Sequence, residues 1–544
     1  MLNRRELNKL ALSSALIMTA PGAVKSFAAG KPVRLPLHEF VKDDRLLKAL
    51  RRGVDEMKKR KPSDPLSWFY QAAIHGVTNQ MVAEAAKDDP KVLDLDRKKL
   101  WNQCPHYGQN SANFLPWHRA YTHHFEEILR LHTGESDFAI PYWECSRADQ
   151  RDFPREFGIS MLDGAFNKVP NPLFHAERDF FLCRYEHPHT DQVPLTTLSP
   201  RAVDDSRALG APTFFGEDEA SGLGGGVYDD NPDTRGILEQ APHDQIHRAV
   251  GGIVIGTDGE GNSTGSIGGM AIPMTAGFDP IFPIHHANID RLWMVWSCMN
   301  GKTWGPLPDQ EWFDEKPWFF HDTKGGIVNR SRKEYFDHRA LGVQFAYEDM
   351  NCKPLELPDE IMKPQLVAAS SPAKSSARTE TAVRIDQGHT VDPKQTTVVQ
   401  LFADGAVEDG HALAFADAEK RISASPGRVV LRIHDIKANG LSSDGLDVYL
   451  IPRSAKATGL MTNDPGYLGS VNLFVHSMKK SRAFDQRFDA TDAISSAGVG
   501  MEQMQLVFVP YALTTAPKVE VGSPVPFGSK PVTFGSVSVF IVEE

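Results

Sequence analysis

The 544-residue chain has little cysteine, no surplus of positive charge and, beyond residue 30, no long apolar run. Its five cysteines (Cys104, Cys145, Cys183, Cys298 and Cys352) are too few and too scattered to form a disulfide scaffold. Their odd number leaves at least one outside any bridge. The balance of 59 Lys and Arg against 70 Asp and Glu gives a net charge of −11. That excludes nucleic acid as the main partner, because binding phosphates takes a net basic face. No stretch after residue 30 reaches the ~18 apolar residues that a membrane-spanning helix needs. No internal repeat is found either. What remains is ordinary for a globular protein, with 41% hydrophobic and 24% charged residues. The length exceeds what one core organises and predicts two domains.

Residues 1–30 read as a twin-arginine signal peptide. Asn3-Arg4-Arg5-Glu6-Leu7-Asn8-Lys9 precedes a mildly apolar stretch from Leu10 to Ala20, and Ala28, Ala29 and Gly30 suit a cleavage site. This route carries folded proteins and predicts a bacterial periplasmic or secreted destination. Between residues 31 and 353 the chain is rich in Trp, His and Phe, with helical spacing over Arg45–Lys59, Trp68–His75, His118–His132 and His285–Met299. The stretch Asn171–Gly236 reads as loop. Residues 354–382 have the composition of a linker. From 383 to 544, short β-branched runs at Thr396–Ala403, Arg428–Ile433, Leu446–Ile451, Ser470–His476, Gln505–Val509 and Val532–Val542 predict an antiparallel sandwich or barrel.

The 20 histidines are informative through their spacing. His243 and His247 stand four apart, so on a helix both imidazoles share one face and could share a metal. His285 and His286 open a second apolar helix downstream. His75, His106 and His118 lie upstream, so two three-histidine sets flank a long insertion. All-imidazole ligation suits copper, zinc or iron. The carboxylate ligand and His-Glu-x-x-His pattern of a zinc hydrolase are absent, which favours a redox metal pair without settling which metal.

These residues resemble the type-3 dicopper family of tyrosinases, polyphenol (catechol) oxidases and molluscan-type haemocyanins. W-H-R-A-Y at Trp117–Tyr121 with Phe125 and Glu126, P-Y-W-E at Pro141–Glu144, E-Q-A-P-H-D-Q-I-H at Glu239–His247 and D-P-I-F-P-I-H-H-A-N-I-D-R-L-W at Asp279–Trp293 carry the likeness. It spans roughly residues 65–350 and extends more loosely into the β region. The resemblance implies an α+β multidomain protein, with a mainly α-helical dicopper core (a four-helix bundle) followed by a β-sandwich lid domain. Two copper ions are implied, the first held by His75, His106 and His118 and the second by His243, His247 and His286. His285, His123 and His124 are then packed neighbours, and His187 and His189 are spare histidines. Eleven residues separate His106 from His118 where the family often has eight. Cys104-Pro105-His106 matches the family's Cys-x-His, in which a thioether joins the cysteine to the second ligand.

The implied reaction uses dioxygen to ortho-hydroxylate monophenols and to oxidise catechols to ortho-quinones. Glu239 matches the glutamate that holds an activating water; the plainer reading is a carboxylate complementing a helix dipole. Asp244 stands where the family's partner asparagine usually follows the first ligand of the second copper, and it cannot donate as an amide does. Arg248 matches a position where some bacterial tyrosinases carry arginine; it is either suited to carboxylate-bearing phenols or simply a solvated side chain. Pro273 replaces the bulky Phe that plant enzymes commonly place over the second copper, leaving the entrance more open. Asp290, four residues after His286, is the expected acceptor for a ligand imidazole. The β domain is expected to cover the site and keep the enzyme latent. A pure catechol oxidase, a haemocyanin-like dioxygen carrier and a zinc or iron enzyme are the alternatives. Phenolic small molecules and dioxygen are the expected partners, with no nucleic acid and no membrane span, and the oligomeric state stays open.

Overall fold

The computed structural model describes residues 32–544 apart from 106–110, 165–166, 186–193, 217–221, 227–234, 258–262, 347–351, 363–377, 386–387, 393, 402–427, 439–443, 472–482, 516–530 and 544. The proposed signal, His106, His187 and His189 lie outside the described residues.

Five helices build the first core. α1 (Asp44–Lys59) starts where the Asp43 side chain accepts from the N–H groups of Arg45 and Leu46, satisfying donors that the first turn leaves open. Its buried Leu46, Leu47, Leu50, Val54 and Met57 recur at helical spacing and form one apolar stripe. α2 (Trp68–His75) is capped by Ser67, whose hydroxyl accepts from Tyr70 N, and it ends on His75 before Gly76. α3 (Phe114–Thr133) begins four residues before His118 and stops at Gly134, whose φ of +71° is the left-handed stop that glycine favours. α4 (Asp244–Gly251) and α5 (Phe282–Ser297) carry the downstream histidines. α1 crosses α3 at Gly53, where a Cβ would sit 2.9 Å from both Leu129 Cδ1 and Thr133 Cγ2. Trp68, Trp117, Tyr121, Phe125 and Phe282 fill the space between α1, α2, α3 and α5. Cys298, just past α5, is bridged to Cys352.

The C-terminal region is a sandwich of two antiparallel sheets. The first contains β1 (Arg378–Ile385), β2 (His389–Val391), β4 (Arg428–Ala438), β7 (Phe484–Asp489), β9 (Val532–Phe534) and β10 (Ser536–Glu543), in the order β2-β9-β4-β10-β1, with β7 on the remaining edge of β4. The second has the order β3-β8-β5-β6, from β3 (Thr397–Gln400), β5 (Asp444–Pro452), β6 (Tyr467–Ser470) and β8 (Met504–Ala512). Val429, Leu431 and Ile433 alternate inward from one sheet, and Leu446, Val448, Leu450, Leu506 and Phe508 from the other. β1 starts at Arg378, inside the segment whose composition reads as a linker, and Asp359–Met362 of that segment is a helical turn. The run read as one strand over Val532–Val542 divides at Gly535 into β9 and β10, both paired with β4. The stretch Asn171–Gly236, read as loop, contains a short helix at Ser206–Gly210.

The sandwich meets the helical core along residues 197–207. Ser199 N donates to Leu513 O at 2.9 Å and Thr515 N to Thr197 O at 2.8 Å. Arg201 Nε reaches Asp447 Oδ2 at 2.8 Å, and its Nη2 reaches Ser470 Oγ at 2.9 Å. No described helix is long and apolar enough to cross a membrane.

Candidate metal centre

Two groups of metal-capable side chains form at the heart of the helical core: His75, Cys104 and His118 in one, and His243, His247, His285 and His286 in the other. Every one of them is buried. His75 is delivered by the end of α2, and Phe282 of α5 packs on its ring at 4.7 Å between centroids. His118 lies one turn into α3 and His286 one turn into α5, and their rings stack at 4.2 Å and 8° between planes, joining the two groups. The chain enters α4 through extended Ala241 and a cis peptide to Pro242, with His243 and His247 one turn apart.

Three of these six imidazoles have Nδ1 already committed. His118 Nδ1 donates to Phe114 O at 2.8 Å, His247 Nδ1 to Met270 O at 2.8 Å, and His243 Nδ1 to Asp244 Oδ1 at 2.8 Å. Those partners are acceptors, so each Nδ1 carries the proton and each Nε2 presents a lone pair. The Nε2 atoms of His243 and His247 lie 3.4 and 3.3 Å from Nε2 of His286. At most one proton can be shared among these three nitrogens, so lone pairs converge with too little hydrogen to pair them. Buried His286 Nδ1 has no hydrogen-bond partner among the described residues. Burial pushes His247 down to about 4 and His286 well below its usual value, so both rings are neutral. Neutral imidazoles oriented in this way fit a borderline divalent cation such as copper, zinc or iron.

His285 falls in the second group, its ring nearly parallel to that of His243 at 5.2 Å. Cys104 Sγ is 3.6 Å from His118 Nε2. His123 and His124 belong to neither group; with Glu127 they form a third cluster, and His124 Nε2 bonds the Tyr335 hydroxyl at 3.1 Å. Pro273 is buried at the first position of the short helix Pro273–Ala276. Arg248 is also buried, its Nη1 3.3 Å from Gln245 Oε1.

Asp290 corrects an expectation. Its oxygens do not accept from a ligand imidazole; they accept from Arg119 Nε at 2.6 Å and Arg34 Nη1 at 2.9 Å. Arg34 Nε in turn reaches Glu126 at 2.8 Å. Asp290 lies one turn past His286, and Arg119 follows His118. This buried ion network therefore ties α5 to α3 at the level where the two rings stack.

Glu239 and Asp244 share a partner that the sequence did not single out. Arg235 Nε donates to Glu239 Oε1 at 2.8 Å and Nη2 to the same oxygen at 2.5 Å. Nη2 also lies 2.9 Å from Asp244 Oδ2. Burial is the largest influence on both carboxyls and raises them, while the guanidinium opposes it. The only sequence signal for Arg235 is its place four residues before Glu239, in a stretch without periodicity.

Residues 65–299, which contain all of these histidines, match the family model described as the common central domain of tyrosinase. A tyrosinase from Hahella sp. (strain CCB-MM4) is 28% identical over 460 residues, covering 80% of this chain and 83% of that protein. A chloroplastic polyphenol oxidase from Spinacia oleracea is 25% identical over 335 residues, a match that takes in 59% of this chain and 47% of the plant protein. Among solved structures, latent apple tyrosinase superposes with a TM-score of 0.55 at 18% identity, covering 95% of this chain and 98% of that one. Recombinant latent aurone synthase gives 0.53 at 20% identity, with 95% and 90% covered. The two structures share the fold of a helical core followed by a β domain. The convergent imidazoles and the sequence match that spans them identify residues 65–299 as a tyrosinase-type central domain, the dicopper domain of tyrosinases and polyphenol oxidases.

Proposed function

We propose that the protein ortho-hydroxylates monophenols and oxidises catechols to ortho-quinones with dioxygen. The observation that carries this reading is the set of imidazole Nε2 atoms of His243, His247 and His286 converging at 3.3–3.4 Å from two helices. His75, His106 and His118 would hold the first copper, and His243, His247 and His286 the second. The bound pair supplies the electrons that dioxygen takes up and the means of passing one oxygen atom to a phenol. The protein's own part is to hold the imidazoles, keep bulk water out behind Trp117, Phe114 and Phe282, and move the phenolic proton. Glu239, buried four residues before His243, would hold the water that takes that proton. Glu239→Gln is expected to lower hydroxylation of tyrosine at least 10-fold, within the range typical of general acid–base catalysis, and catechol oxidation much less. Equal losses in the two assays would remove Glu239 from this role.

A second reading, a pure catechol oxidase, is favoured by the grip of Arg235 on Glu239 and by Asp244 in place of an asparagine. Assaying tyrosine beside a matched catechol, before and after limited proteolysis within residues 354–382, separates the two. Hydroxylation absent under both conditions leaves catechol oxidation alone. The same assay tests latency, which the docking of the β region through Arg201 and Asp447 supports. Residues 31–353 would then be the dicopper domain, 354–377 the linker and 378–544 the lid, which begins with β1 rather than at residue 383. A thioether between Cys104 and His106 is supported by the buried sulfur's place beside His118, and the loss of two hydrogens in intact mass tests it. Twin-arginine export to the periplasm rests on residues 1–30 and is tested by fractionation with Arg4 and Arg5 replaced by lysine.

A further inference from the structure

Arg235 occupies an unusual place. Its side chain is 7% exposed, and the carboxylates it meets, Glu239 and Asp244, are 3% and 1% exposed. A guanidinium presents donors in a rigid planar fork, so contacts from Nε and Nη2 fix the carboxylates they meet in angle as well as distance. Nε and Nη2 converge on Glu239 Oε1, and Nη2 reaches on to Asp244, 3.1 Å from Oδ1 and 2.9 Å from Oδ2. Asp244 Oδ1 in turn accepts from His243 Nδ1 at 2.8 Å, and His243 Nε2 lies 3.4 Å from Nε2 of His286. An unbroken buried path therefore runs from Arg235 through Asp244 to the one metal-facing nitrogen on His243. His118 and His247 are oriented differently, by main-chain carbonyls of Phe114 and Met270 that the fold itself fixes. A side-chain carboxylate can rotate, so His243 needs something to hold its acceptor still.

We propose that Arg235 is a positioning residue for the second copper: it locks the Asp244 carboxylate in the rotamer that aims His243 at the metal, and ties Glu239 into the same frame. The proposal rests on the reading of His243 as a copper ligand. Residues that orient a metal ligand typically cost 10–100-fold in metal affinity when removed. Copper per chain is measured during a chelator titration for the wild type, Arg235→Met, Arg235→Lys and Asp244→Asn, and for Arg235→Met combined with Asp244→Asn. Arg235→Met should give up one of its two coppers at 10–100-fold lower chelator activity while keeping the other as the wild type does. Arg235→Lys, which keeps the charge but not the fork, should fall between them, and it carries the test if the methionine variant does not fold. In the Asp244→Asn background the same Arg235→Met change should have little further effect, because the path it acts through is already altered. Equal weakening of both coppers, unchanged affinity, or an undiminished effect in the Asp244→Asn background overturns the proposal. A wild type that holds fewer than two coppers overturns the copper reading, and the proposal with it.

Discussion

A buried imidazole is aimed at a metal by whatever holds its other nitrogen, and three of the imidazoles here are held by different acceptors: two main-chain carbonyls and one carboxylate. Histidines away from the centre show the opposite use of burial. His123 is pushed down to about 4, chiefly by desolvation, and so is His321, whose Nε2 lies 3.4 Å from the Tyr70 hydroxyl. In the unfolded chain both titrate near 6.5. As pH falls below that value the unfolded state takes up the proton first. The stability is fully present above 6.5 and drains away as pH descends towards 4. Copper-free protein should therefore lose Tm across this window. His123→Gln should flatten the slope by up to about one bound proton, read from urea unfolding at several pH values. The motif histidines were legible because their flanks are distinctive. Arg235 was not, since its importance comes from the two carboxylates it reaches and nothing in its own neighbourhood announces them.

At the scale of elements, helices α1, α2, α3 and α5 lie within a few residues of their predicted spans, because stripes at helical spacing and caps such as Asp43 and Ser67 are local features. Strands were less legible. β4, β5 and β8 announce themselves by continuous β-branched and aliphatic runs, whereas β1 (R-T-E-T-A-V-R-I) and β7 (F-D-Q-R-F-D) are polar-rich strands held by pairing with β10 and β4. The joint between the two regions combines main-chain bonds with one largely buried ion pair. Arg201 grips Asp447 with two nitrogens, also meets the Tyr467 hydroxyl, and lies 4.7 Å from the Tyr511 ring centre. Arg201→Met leaves a carboxylate only 5% exposed without its cation. Because Arg201 itself keeps some solvent contact, the expected cost is at or below the low end of the ~3–5 kcal/mol for a broken buried pair. Differential scanning calorimetry should show the β region melting earlier and apart from the helical core; an unchanged thermogram would assign the joint to the Leu513 packing and the main-chain bonds instead.

For the whole molecule, metal binding and folding are linked. A ligand that binds only the folded state stabilises it by about 4 kcal/mol at a thousand times its Kd. Removing copper should therefore lower the melting temperature of the helical core while leaving the β transition in place, because the described donors all lie between His75 and His286. A shift shared equally by both transitions would mean that the two regions unfold as one.

The amino-acid order alone determined which donors are present, that His243 and His247 share a helix face, and that a β region follows a helical one. Each of these rests on spacing within a turn or along a strand, which local chemistry sets. Tertiary structure alone decided that His118 stacks on His286, that Asp290 serves Arg34 and Arg119, and that Arg235 holds Glu239 and Asp244 together. His118 and His286 are brought together across 168 positions, and Arg34 and Asp290 across 256. A main-chain carbonyl or an ion-pair partner that far along the chain leaves no trace beside the residue it serves, so packing had to choose it.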